Sequence, residues 1–156
     1  GGATPTAWLW GQTDQTASGG GSSFDSGDVF EAVLASNVAL GTTAYGNDLM
    51  SLVDLAAGFY RADWKVAASP SGQTSIYGVL WNDAESTIYD EDESTLLNTS
   101  GWRYSGLQGH AYITLASTTT IKVSAHRSSD AAATALRDGG QSTSHRLTKM
   151  SAIKLG

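Results

Sequence analysis

Phe59-Tyr60-Arg61-Ala62-Asp63-Trp64-Lys65-Val66-Ala67-Ala68 sets Tyr60, Ala62, Trp64, Val66 and Ala68 at alternate positions, with Arg61, Asp63 and Lys65 between them. A repeat of two belongs to a β-strand, whose successive side chains point to opposite faces; a helix would repeat about every 3.6 residues. The segment reads as a half-buried strand with one apolar face. After it, Pro70-Ser71-Gly72 is turn chemistry, because proline presets φ and glycine relaxes it. Ser75-Ile76-Tyr77-Gly78-Val79-Leu80-Trp81 then reads as a second strand, apolar on both faces. The pair is expected to form an antiparallel hairpin with a loop of several residues.

Toward the C-terminus, Asn82-Asp83-Ala84 breaks the run. Thr87-Ile88-Tyr89 reads as a short edge strand leading into Asp90-Glu91-Asp92-Glu93, followed by a long polar loop to Gly109 that Trp102 and Tyr104 would pin by packing. Ala111–Leu115, Thr120–Ala125 and Leu147–Leu155 read as three closing strands, with Thr and Ser at alternate positions suited to a half-exposed pleat. Between the last two, Asp130–Arg137 is Ala-rich and reads as a helical turn capped by Asp130 and stopped by Gly139-Gly140.

Toward the N-terminus, Leu49–Leu55 and Asp28–Leu34 are short apolar runs that fit either period, the second leaning to strand. Thr6-Ala7-Trp8-Leu9-Trp10 alternates aromatic and smaller residues up to Gly11 and reads as a short strand. Gln12–Gly27 is polar and includes Ser18-Gly19-Gly20-Gly21-Ser22-Ser23, the composition of a long loop or an arm. The organisation expected is an N-terminal strand and Gly/Ser-rich arm over residues 1–27, then one domain over 28–156. Some eight short strands punctuated by Gly and Ser turns make that domain an all-β, antiparallel, jelly-roll-like β-sandwich.

Composition narrows the function. The 156 residues suit one core, 40% are hydrophobic, and only 15% are charged. Nine Lys and Arg against fifteen Asp and Glu leave a formal charge of -6. That balance disfavours nucleic acid, since the basic residues are scattered from Arg61 to Lys154. With no cysteine, disulfides and thiolate metal sites are excluded. No apolar run approaches the roughly 18 residues of a membrane helix, and Gly1–Pro5 lacks the pattern of a signal peptide, so no membrane partner is expected.

Motifs for chemistry are sparse. His110, His126 and His145 lack the close spacing that puts two imidazoles on one metal. The run Asp90–Glu93 offers carboxylates but not a calcium-loop pattern, and reads as a solvated charged loop. No serine sits in a Gly-x-Ser-x-Gly elbow, and Gly19–Gly21 is not followed by the lysine of a phosphate loop. No catalytic residue, metal or cofactor is assigned, and the chain is expected not to be an enzyme. Aromatics are the more informative group: Tyr60 and Trp64 belong to the core, while Trp8, Trp10, Trp102 and Tyr104 are the candidate contacts to a partner or ligand.

Leu52, five residues, then Gly58-Phe59-Tyr60-Arg61-Ala62 resembles the Phe-x5-Gly-x-Tyr-x-Phe signature of the globular head of complement's first component, a relative of the tumour necrosis factor superfamily. Leu52 and Ala62 stand where that pattern has Phe. Tyr77-Gly78-Val79-Leu80-Trp81-Asn82 and the Ser142-Thr143-Ser144-His145 lead into the last strand extend the likeness over about the last two-thirds of the chain. The resemblance implies a jelly roll that forms a homotrimer with one sheet face toward the three-fold axis. An acidic, cysteine-free, Gly/Ser/Thr-rich chain is similar to the bacteriophage versions of such domains. The function implied is a capsid decoration (cement) protein of the virion that binds the major capsid protein. Alternatives are a receptor-binding tip of a tail or head fibre recognising a cell-surface glycan, or a carbohydrate-binding, lectin-like secreted module.

Overall fold

In the strand that carries Phe59–Ala68, every even-numbered side chain from Tyr60 to Ala68 is buried, while Arg61, Asp63 and Lys65 stay at the surface. A computed structural model describes residues 27–96, 105–137 and 148–156. The predicted strand Thr6–Trp10, the Gly/Ser-rich arm, and the candidate residues Trp8, Trp10, Trp102 and Tyr104 lie outside the described residues, as do the Ser142–His145 lead and Gly139-Gly140.

Ten strands are described: β1 (Val29–Val33), β2 (Val38–Leu40), β3 (Asn47–Leu55), β4 (Gly58–Pro70), β5 (Thr74–Asn82), β6 (Ile88–Leu96), β7 (Ser105–Leu115), β8 (Thr119–Arg127), β9 (Ala133–Ala135) and β10 (Lys149–Lys154). They form two antiparallel sheets. In the first, β4 is central, with β7 along one side and β10 followed by β9 along the other; β1 lies outside β10 and β2 outside β9. The second runs β3-β8-β5-β6. This is the jelly-roll sandwich expected, and both ambiguous N-terminal runs are strands, β1 and β3.

Three expectations are corrected. β4 and β5 are not a hairpin: β4 belongs to the first sheet and β5 to the second, paired with β6 and β8. Pro70–Gly72 instead carries the chain across the sandwich, where the Ser71 N–H bonds Ala132 C=O. An apolar face looks the same in sequence whether its partner lies beside it or opposite it. The acidic run is not a loop, because Asp90–Glu93 is the middle of β6, and β7 begins at Ser105 inside the predicted polar loop. Finally, the Ala-rich piece is the strand β9, bonded between β2 and β4. Small side chains let Ala133 and Ala135 bury inward there, which overrides alanine's helical preference.

The core lies between the sheets, built from Tyr60, Trp64 and Val66 of β4, Ile76 and Leu80 of β5, Leu107 and Ile113 of β7, Ile121 and Val123 of β8, and Met150 of β10. Its large aromatics keep their polar atoms satisfied. The Tyr60 hydroxyl donates to Ala56 C=O at 2.9 Å, and Trp64 Nε1 donates to Asp90 Oδ2 at 2.8 Å. The second bond joins the two sheets, running from β4 to the edge strand β6. Asp92 adds another link along this edge, its Oδ2 accepting the Gln108 N–H of β7 at 3.1 Å. Gly109 leaves room for the bond: a Cβ there would land on the Asp90 carboxylate and lie 2.7 Å from Trp64 Nε1. Gly109→Ala should therefore cost about 2–4 kcal/mol through overpacking and loss of the indole bond. Urea unfolding of the variant beside the parent measures that loss.

Candidate functional site

The two outer sheet faces differ in what covers them. On the second sheet, Val79 and Trp81 of β5 and Lys122, Ser124 and His126 of β8 point away from the core, yet Val79, Trp81, Lys122 and Ser124 are buried. Their cover includes the loop between β2 and β3. Tyr45 sits there at φ +48°, in the left-handed region, and its ring meets Trp81 and His126 edge-on with centroids 5.6 and 4.9 Å away. The Tyr45 N–H donates to His126 Nδ1 at 3.0 Å, and Tyr77 stacks on that imidazole with centroids 4.7 Å apart. Arg127 clamps the start of the loop, its Nε donating to Leu40 C=O and its N–H to Gly41 C=O.

Beneath this loop runs a polar chain. Trp81 Nε1 donates to Ser124 Oγ at 2.9 Å, Ser124 Oγ donates to Asp48 Oδ1, and Lys122 Nζ donates to Asp48 Oδ2 and Glu85 Oε1 at 2.9 and 2.8 Å. The Lys122 side chain is only 7% exposed, whereas Asp48 and Glu85 reach into solvent. Burial alone would lower the Lys122 ammonium, but the bonds from Glu85 and Asp48 outweigh it and hold its pKa above the ordinary lysine value. For Asp48, burial works upward and is outweighed by the Ser124 and Lys122 bonds, which leave the carboxyl below its ordinary value. Ser124 is fully buried and spends its hydroxyl on Asp48, so this network is built to hold β3, β5 and β8 together. Among the described residues no group of three or more His, Cys, Asp or Glu is placed to hold a metal ion.

The outer face of the first sheet is open. Register aligns Val29, Ile153, Arg61 and Tyr112 in one row across β1, β10, β4 and β7. The next row is Glu31, Ser151, Asp63 and His110, and the third is Val33, Lys149, Lys65 and Gln108. Phe59 and Leu155, joined by the Leu155 N–H bond to Phe59 C=O, lie one row beyond the first. Val29 is 59% exposed and Tyr112 62%, and Val33, Phe59 and Leu155 are also exposed. Phe59 and Tyr112 stack at 6.0 Å with an interplanar angle of 21°, forming an aromatic pair that faces solvent. Arg61 pairs with Asp63 at 2.9 Å, both well exposed. Beside them a cleft of about 340 Å³ is lined by Asp63, Lys65, Gln108, His110, Lys149 and Ser151, with Trp64, Gly109 and Met150 also on its wall.

The aromatics singled out in the sequence are not these. Trp81 is buried, and Tyr60 and Trp64 are core as expected. Phe59, Tyr112, Lys65 and Lys149 were missed as a surface, although Phe59 shares the outward phase of Arg61, Asp63 and Lys65 within one strand. Among the described histidines, His110 is exposed and edge-on to Tyr112, and His126 is half-buried.

No protein-family model matches the sequence, and no curated protein matches it significantly. Solved structures do. The Eiger TNF of S. frugiperda superposes with a TM-score of 0.56 over 85% of this chain and 94% of that one, at 9% identity. The C-terminal CBM6 of the marine laminarinase LamC from Zobellia galactanivorans aligns over 81% of this chain and 100% of that one, at 11% identity and a TM-score of 0.41. At such identities the likeness is one of fold, and the first of the two agrees with the tumour-necrosis-factor-like jelly roll that the sequence resemblance implied.

The Tyr45 latch makes stability depend on pH. Burial lowers the His126 pKa below 6.5, so folding favours the neutral ring that accepts the Tyr45 N–H. The unfolded chain then binds more protons than the folded one, and this contribution is present above about pH 6.5 and lost as pH falls through the folded value. Urea midpoints should hold steady from pH 7.5 to 6.5 and drop by pH 5. His126→Asn, whose amide oxygen accepts without titrating, should flatten that drop.

Proposed function

We propose that this chain is a non-catalytic structural module that self-associates as a homotrimer through the outer face of its first sheet, and that the trimer decorates a bacteriophage head by binding the major capsid protein. The observation that carries the self-association is the contrast between the faces. One is sealed by Tyr45 and a satisfied polar network, while the other presents Val29, Ile153, Phe59, Tyr112 and Leu155 together. A patch of apolar and aromatic residues rimmed by charge is the anatomy of a protein contact. Support for the shell role comes from the sequence: an acidic, cysteine-free chain rich in Gly, Ser and Thr, preceded by a Gly/Ser-rich arm suited to multivalent attachment.

Native mass measurement checks the first half of the proposal. The parent protein should give three times the chain mass of 16.2 kDa, and Tyr112→Glu should shift it to monomer by placing a charge in the apolar patch. Binding to expanded empty capsids checks the second half, with saturation at hundreds of copies per particle expected of a decoration protein. A monomer with no capsid affinity contradicts both.

A further inference from the structure

Lys149 of β10 and Lys65 of β4 are direct register partners, and both belong to the outward rows of the open face. Like charges directly opposite on neighbouring strands repel. Among the described residues neither lysine makes an ion pair. Asp63, the carboxylate of the same cleft, is engaged with Arg61. Gln108 and Ser151 line the same cleft and add hydrogen-bond donors. A concave site with two unpaired cations and neighbouring donors is complementary to carboxylates.

The chain itself carries the matching group. Asp90 and Asp92 of β6 turn inward to Trp64 and Gln108, whereas Glu91 and Glu93 point outward and are exposed. They lie on β6, the last strand of the second sheet, whose side away from β5 packs against β7, and both carboxylates face outward beside that seam. Among the described residues Glu91 accepts only a long 3.5 Å bond, from the Tyr45 hydroxyl. Two residues apart on one strand face, they are separated by about 7 Å, near the roughly 5 Å between lysine positions on adjacent strands, and long side chains close the difference.

We propose that the Lys65–Lys149 cleft is a carboxylate-binding site whose occupant is the acidic edge of β6, Glu91 and Glu93, from a second copy of this chain. This rests on the self-association proposed above and names its ionic contact. Cleft and edge are different patches, so in the proposed trimer each copy's cleft meets the β6 strand of the next copy, head to tail around the three-fold axis. Electrostatic pairing of this kind fixes orientation, while the apolar patch beside it supplies the burial.

Sedimentation equilibrium of four proteins tests the pairing: the parent, K65E/K149E, E91K/E93K, and the fourfold variant that carries both exchanges. All four positions are at or near the surface, and circular dichroism verifies that each variant folds. Each double reversal should weaken association by roughly tenfold or more, and the fourfold variant should recover most of it because opposite charges again meet. Raising the salt to about 1 M should weaken the parent and fourfold assemblies alike. An oligomeric parent whose association K65E/K149E leaves unchanged overturns the pairing and leaves self-association standing, as does failure of the fourfold variant to recover. A parent that is monomeric at every concentration overturns both.

Discussion

The two-residue repeat of β4 constrains the rest of the molecule. Because its side chains alternate, the row that places Tyr60, Trp64 and Val66 in the core also places Phe59, Arg61, Asp63 and Lys65 on the open face. A slip of one residue would exchange the rows and put three charged groups between the sheets. The Trp64–Asp90 bond makes that register costly to leave, since a buried indole N–H that loses its acceptor forfeits a charge-assisted bond. Core and surface are thus one decision, made by a strand flanked by β7 and β10 and fastened across the sandwich to β6.

That decision was legible in the sequence because β4 alternates strictly. What could not be read was which strands lie beside which. Pro70–Gly72 has the chemistry of a hairpin turn, but the chain uses it to change sheets, and both outcomes bury the same apolar faces. The acidic run reads as a loop in sequence because four consecutive carboxylates are poor strand formers. Two of them are inward because each finds a donor, Trp64 and the Gln108 N–H, that lies far away in sequence. Alanine at 131–133 and 135 suggested a helical turn, but tertiary packing between β2 and β4 decides in favour of β9.

The site was less legible than the fold. Tryptophan is the residue type that most suggests a contact, yet Trp81 is held under Tyr45 against Ser124. A surface spanning four strands is visible only once register is known: Val29, Ile153, Arg61 and Tyr112 lie 51 or more residues apart in sequence between neighbours on the sheet, yet share a row. The polar network on the opposite face explains why that face is a different kind of object. Its indole donates to the serine, the serine and the lysine both donate to Asp48, and Lys122 and Ser124 lie at the base of a closed structure rather than in a site open to a partner.

The account turns on whether the open face is covered in solution. Hydroxyl-radical footprinting over a dilution series reads this at Tyr112 and Phe59, which are 62% and 41% exposed in the single chain. Slow oxidation of both rings at high concentration, rising together as the protein is diluted, is the result predicted. Fast oxidation at every concentration, at the rate set by the exposure of the isolated chain, would contradict it.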